Sequence, residues 1–229
     1  MQPEPGQPAI RVDHVGAERQ PVVVVENFAP DPERLISEAE GLSFAAMGEY
    51  YPGVRAPVTR AYFEGLDAVL APVMREVFGA RDKIGFTRAL YSIATTSPAE
   101  LGLAQRIPHI DGVAEGMIAI VHYLSHAPFG GTAFYRHRST GFETVDASRH
   151  RIYLDALRSD FTRLGEPASA YIAGDTATFE QIARYDAVFN RALIYRSSLL
   201  HSALLPNDAP LPADVRAGRL TVASFLSIR

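Results

Sequence analysis

The segment Ile107-Pro108-His109-Ile110-Asp111-Gly112 places an imidazole and a carboxylate two residues apart. In a strand, residues two apart point to the same face. His109 and Asp111 can then grip one metal ion together, with Ile110 turned into an apolar layer. His201, ninety residues beyond Asp111 in Ser198-Leu199-Leu200-His201-Ser202, is the candidate third ligand. Two histidines and one carboxylate on one face of a metal are the donor set of non-haem Fe(II) oxygenases, and they leave open positions for other ligands. Those positions can take a bidentate 2-oxo acid and then dioxygen. A lone His-x-Asp pair arises often by chance, so the argument rests on what accompanies it.

Its companion lies near the C-terminal end of the sequence. Gly218-Arg219-Leu220-Thr221 opens an apolar run, and the period of two again puts Arg219 and Thr221 on a shared face. Arginine offers a fork that holds a carboxylate through two parallel hydrogen bonds. The Thr221 hydroxyl can add a donor to the same group. The distal carboxylate of 2-oxoglutarate needs such a pair. Arg216 is close enough in sequence to compete for the role.

The elements that must position these residues follow from patterning. Val22–Val25 is a β-branched run between turn residues and predicts a buried strand. Asp31-Pro32 is a helix start, with Asp as cap and Pro in the first helical position, and Gly41 is a stop. Leu66, Val69, Leu70, Val73 and Val77 form one stripe of a second helix, with Pro72 as a possible kink or break. From Phe86 the pattern changes: 86–94, 117–124, 131–136, 191–195 and 219–228 read as strands, and 148–164 as a helical insertion. Residues 1–20 read as a loose leader and 137–185 as a lid or substrate wall inserted in one domain spanning 1–229. Helices followed by a run of strands predict an α+β fold with an all-β jelly-roll core and N-terminal helices packed on it.

Composition narrows the chemistry. The 229 residues contain no cysteine, which excludes disulfides, zinc–thiolate sites and a cysteine nucleophile. A metal must be held by His and carboxylate, which suits iron, manganese or zinc. A net charge of −4 gives no sign of a general nucleic-acid binder. The N-terminus is polar and proline-rich, and no run of 18 apolar residues exists, so the sequence predicts no signal peptide, no membrane span and a cytoplasmic location. Of the remaining histidines, His122 should face away from Tyr123 and be structural or solvent-bound. His137, in Tyr135-Arg136-His137-Arg138, reads equally as an exposed strand end or a substrate-facing patch. Tyr50-Tyr51-Pro52-Gly53-Val54-Arg55 reads as a packed turn, with the mouth of a site as the other reading. His14 and His150 have no companions that suggest ligation.

The ordered set His109-x-Asp111, Tyr123-Leu124-Ser125, Gly130-Gly131-Thr132, His201 and Arg219-x-Thr221 resembles the 2-oxoglutarate/Fe(II) dioxygenase superfamily. It is most similar to the prolyl-hydroxylase-like branch, over roughly residues 86–229. The opening VVVVENFAPDPERLISEAEGL resembles the strand–helix entry of that branch. QRIPHIDG, GGTAFYRHRSTGFE and NRALIYRSSLLHS resemble an uncharacterised bacterial group within it.

The resemblance implies a double-stranded β-helix with His109, Asp111 and His201 as iron ligands. It implies 2-oxoglutarate as cosubstrate, bound by Arg219, Thr221, Tyr123 and Tyr91, and dioxygen as oxidant. The implied reaction couples decarboxylation of 2-oxoglutarate to hydroxylation of a small-molecule or peptide substrate. An aspartate at position 111 fits hydroxylation, because halogenating relatives carry a small residue there. The step of eighteen residues from His201 to Arg219 exceeds the usual family gap and requires a looped insertion. Two other readings stand beside this one: a cupin-type metal-binding barrel acting as a direct dioxygenase, and a non-catalytic metal- or 2-oxoglutarate-binding sensor or partner protein. Neither the substrate nor the oligomeric state is legible in the sequence.

Overall fold

A computed structural model describes residues 6–48, 50–127 and 129–229. The strands are β1 (Ala9–Val15), β2 (Gln20–Glu26), β3 (Ala45–Ala46), β4 (Gly53–Pro57), β5 (Ile84–Ala94), β6 (Met117–Tyr123), β7 (Thr132–His137), β8 (Phe179–Tyr185), β9 (Ala192–Arg196), β10 (His201–Ala203) and β11 (Leu220–Ile228). The α-helices are α1 (Pro32–Glu40), α2 (Asp67–Glu76) and α3 (His150–Leu164). Eight strands pair in the order β1-β2-β9-β6-β11-β5-β4-β3, and three in the order β10-β7-β8. Every pairing is antiparallel. The fold is α+β, a double-stranded β-helix core flanked by N-terminal helices.

The large sheet is covered on both faces, which is why its central strands are continuous apolar runs. Val23 and Val25 pack under α1 and α2 with Ile36, Leu70, Met74, Ile194 and Val222. Val22 and Val24 point the other way, toward Phe134 and Tyr185 of the small sheet. The outer face of the small sheet buries Tyr135 and Phe179 against Tyr153 and Leu157 of α3.

Local signals account for the helix ends. The Asp31 side chain accepts from the Arg34 amide and Gly41 closes α1. Pro72 sits inside α2, yet the helix runs unbroken across it. Among the described residues no helix is long and apolar enough to cross a membrane.

Three expectations need correction. Residues 9–15 of the expected leader form β1, which pairs along its whole length with β2. Its outward residues Ile10 and Val12 are exposed, so it carries no buried alternation to betray it. The last residues of 137–185 are β8, a strand of the small sheet, so within that stretch the cavity is walled by α3 and Tyr171. His109 and Asp111 do not lie on a regular strand. His109 forms an isolated bridge with His201, and Asp111 sits in a bend.

Candidate metal and 2-oxo acid site

The chain brings His109, Asp111 and His201 together by backbone pairing. The amides and carbonyls of His109 and His201 exchange two hydrogen bonds of 2.9 Å, and the Asp111 amide donates to the Ser197 carbonyl at 2.8 Å. The three residues offer ligand atoms that all lie within 4.8 Å of one another. His201 Nε2 is 3.3 Å from Asp111 Oδ2, and His109 Nε2 is 4.0 Å from Oδ1. His201 donates from Nδ1 to the Leu199 carbonyl at 2.8 Å. That bond sets the tautomer and leaves Nε2 with its lone pair toward Asp111. Tyr195 meets the His201 ring edge-on at 4.8 Å and fixes its plane.

The electrostatics fit a cation. His109 is exposed to the cavity, but enough protein surrounds its ring that burial, followed by the nearby His201, pushes it down to about 4. It is a neutral donor at ordinary pH. Burial alone would raise the Asp111 carboxyl, but His201, His109 and Arg55 together hold it below its ordinary value. A neutral His109 imidazole, the His201 imidazole and a carboxylate held toward its ionised form converge on one point and suit a divalent metal of the iron type.

The cluster opens into a cavity of about 440 Å³ between the inner face of the large sheet, β10 and α3. Arg219 and Thr221 line it. Arg219 is only 3% exposed, and among the described residues no carboxylate pairs with it. Its Nε and Nη2 donate to the Gly130 and Gly131 carbonyls, both at 3.2 Å. The Gly-Gly pair therefore holds the guanidinium by its backbone. A Cβ at Gly131 would run into the Tyr185 carbonyl, and one at Gly130 into that of Leu204. Arg216 is exposed at the surface and pairs with Glu40 at 2.6 Å, so it takes no part in the cavity.

The two tyrosines named from the sequence fall elsewhere. Thr221 pairs with Ser92 on one side and Tyr123 on the other. Residues directly opposite in a sheet share a face, so Ser92 faces the cavity side. Tyr91 faces the helix-covered core and stands out of reach of the site. Tyr123 is on the correct face but fully buried behind the wall. Its hydroxyl bonds Thr132 at 2.7 Å, and the Arg219 guanidinium lies 5.7 Å from its ring centroid.

Several tyrosines line the cavity, and of these Tyr51 has a buried hydroxyl with no hydrogen-bond partner. Burial raises its pKa, and the cations Arg219 and Arg55 oppose the rise. The Tyr50–Arg55 segment is thus a wall of the cavity rather than a packed turn. His150 also lines the cavity. His137 does not: it is fully buried and faces Asp160 of α3 at 3.1 Å. His122 is structural as expected, donating to Asn190 Oδ1 at 3.0 Å.

Comparison with known proteins places the chain. A family of unknown function, DUF6445, matches residues 6–226. The chain belongs to this family. Among solved structures, HygX from Streptomyces hygroscopicus with nickel and 2-oxoglutarate bound is similar to this DUF6445 member at TM-score 0.54 and 16% identity, covering 92% of this chain and 84% of that one. HygX with nickel, 2-oxoglutarate and hygromycin B bound gives 0.52 and 14% over the same shares. SnoN, a non-haem α-ketoglutarate-dependent epimerase from nogalamycin biosynthesis, gives 0.50 and 12%, covering 92% and 80%. At these identities the likeness is one of fold. Comparison with curated proteins gives no match.

Proposed function

We propose that this chain is a non-haem Fe(II), 2-oxoglutarate-dependent oxygenase that hydroxylates a substrate still to be identified. One observation carries the reading. A buried guanidinium without a carboxylate partner shares a cavity with a two-histidine, one-carboxylate cluster. An unpaired buried charge is costly and calls for a ligand of opposite sign. A diacid that also chelates a metal answers both features. A direct dioxygenase has no use for the second, which disfavours the cupin-type reading. The shared fold with HygX, a protein seen with nickel and 2-oxoglutarate, agrees with this assignment. Placement in the prolyl-hydroxylase-like branch rests on the sequence motifs alone, and we read residues 1–229 as one functional unit.

In this scheme His109, Asp111 and His201 would hold Fe(II), which, with 2-oxoglutarate and dioxygen, supplies the oxidising chemistry. The protein's own work is positioning. Leu199 orients His201 through Nδ1, keeping Nε2 free as a donor. Arg219, seated on the Gly130 and Gly131 carbonyls, would hold the distal carboxylate of the cosubstrate with its remaining donors. Thr221 and Tyr51 supply hydroxyl donors beside it. In the unliganded protein Thr221 donates to the Ser92 carbonyl at 3.3 Å, a long bond that is easily exchanged. Ile107, Ile110 and the α3 residues Tyr153, Leu154 and Leu157 wall the other side and exclude water.

Succinate release on adding Fe(II), 2-oxoglutarate and air tests the reading. The wild type should form succinate, and His109→Ala should not. Binding of 2-oxoglutarate without succinate would mark the protein as a sensor instead.

A further inference from the structure

Two more arginines line the cavity besides Arg219. Arg55 on β4 lies opposite Ser92, and Arg88 on β5 lies opposite Phe225. Both point to the cavity face of the large sheet. Each is braced by an aromatic ring: Arg55 lies 3.9 Å above the Tyr51 ring and Arg88 lies 4.7 Å from the Phe225 ring. Stacking fixes the plane of a guanidinium and leaves its edges free for hydrogen bonds. Among the described residues neither arginine has a carboxylate partner, and the Arg55 Nε is buried with no hydrogen bond at all. Other arginines of the chain, such as Arg136, Arg191 and Arg216, do find carboxylates.

Charge says what these two are for. Among the described residues Asp111 is the only acid lining the cavity, against Arg55, Arg88 and Arg219. A divalent metal and a doubly charged cosubstrate cancel each other. The loaded cavity therefore keeps two positive charges in excess, those of Arg55 and Arg88. Arg55 is close enough to Asp111 and to Arg88 to feel both, so the cationic pair reaches from the metal cluster along the sheet. A cleft with one sign of charge and low-dielectric walls concentrates ligands of the other sign. The facing wall, with Ile110, Tyr153, Leu154 and Leu157, is apolar.

We infer that the substrate is a small organic acid with an apolar body, its carboxylate or phosphate group held by Arg55 and Arg88 and its carbon skeleton lying against α3. This inference rests on the oxygenase reading above. The cavity volume of about 440 Å³ suits a small molecule better than a folded partner. Anchoring the acid beside Asp111 would hold the attached carbons next to the metal position.

Phenylacetate, phenyl phosphate and the neutral phenylacetamide are suitable probes, titrated calorimetrically into protein loaded with Ni(II) and 2-oxoglutarate. At least one of the two acids should bind saturably and about tenfold or more tighter than the amide. Which acid binds better decides between carboxylate and phosphate recognition. Arg88→Gln and Arg55→Gln should each abolish most of that preference, with amide affinity as the internal control for an intact cavity. Equal affinity for acid and amide, saturable binding of neither acid, or a preference that survives both substitutions would overturn the inference. Failure of the wild type to take up Ni(II) and 2-oxoglutarate in the loading step would instead refute the oxygenase reading on which it rests.

Discussion

Replacing Arg219 separates the proposed cosubstrate anchor from every other arginine near the C-terminal strand. The guanidinium is buried and seated on two backbone carbonyls, so its position is set before any ligand arrives. In Arg219→Ala the distal carboxylate of 2-oxoglutarate would lose the one buried guanidinium seated on the Gly130 and Gly131 carbonyls, although Arg55 and Arg88 stay in the cavity. Removing one partner of a buried ion pair costs about 3–5 kcal/mol, because the other is left unpaired. At about 1.4 kcal/mol per decade this is a loss of roughly two to three and a half orders of magnitude in affinity. Arg219→Lys should recover only part of it, since an ammonium makes a point contact where the fork makes two. Arg216→Ala should leave the affinity unchanged, because Arg216 is bound to Glu40 at the surface. Calorimetric titration of 2-oxoglutarate into Ni(II)-loaded protein reads all three, with nickel content measured separately to show that metal binding is intact. A loss of affinity in Arg216→Ala with none in Arg219→Ala would refute the assignment of the anchor.

Other outcomes follow from the same geometry. His201→Ala should lose stoichiometric metal after dialysis, measured by elemental analysis, while circular dichroism shows the fold retained; full metal occupancy in the variant would remove His201 from the ligand set. Phe134→Ala empties a fully buried site between the two sheets and should cost about 3–5 kcal/mol in urea unfolding, so a loss below 1 kcal/mol, to order of magnitude, would mean the layers do not meet there as described. His122 is buried and pushed down to about 4 by desolvation. The unfolded chain therefore takes up a proton below about 6.5 that the native state refuses until about 4. The associated stability is present above pH 6.5 and fades to a loss of about 3 kcal/mol as pH falls through that window. Urea unfolding of wild type and His122→Gln at pH 7 and 4.5 should show a flatter pH dependence in the variant, and parallel dependences would contradict this.

What could be seen in the sequence depended on how local the cause was. The segments 117–124, 191–195 and 219–228 are apolar runs largely buried on both faces, 86–94 is buried only over its second half, and the structure places β6, β9, β11 and β5 there. The His109, Asp111 and His201 set was legible because residue type and order alone suggest it. The reason given for the spacing was wrong in detail, since a single bridge to His201 and a bend, not a strand, aim the pair. Tyr91 was misplaced because one residue of register decides the face. Only the pairing of Ser92 with Thr221 reveals that Tyr91 looks toward the helices. Tyr51 and Arg55, whose segment reads first as a packed turn and only second as the mouth of a site, and Arg88, which the sequence does not single out, were obscured for a related reason. The short β4 reaches the site only by pairing with β5 about forty residues on, and nothing near Arg55 in sequence announces that partner. A Cβ at Gly53 would strike the Ile93 carbonyl, so this glycine is what permits the close pairing. It was the one local signal available.

The central claim is that one cavity binds a metal through His109, Asp111 and His201 and 2-oxoglutarate through Arg219 at the same time. Anaerobic addition of 2-oxoglutarate to the Fe(II)-loaded protein tests it most directly, by the visible charge-transfer band that appears only when a 2-oxo acid chelates the iron. The band should develop saturably in the wild type, be absent from His201→Ala, and require far higher 2-oxoglutarate in Arg219→Ala. No band in the iron-loaded wild type, or an undiminished band in His201→Ala, would contradict the account.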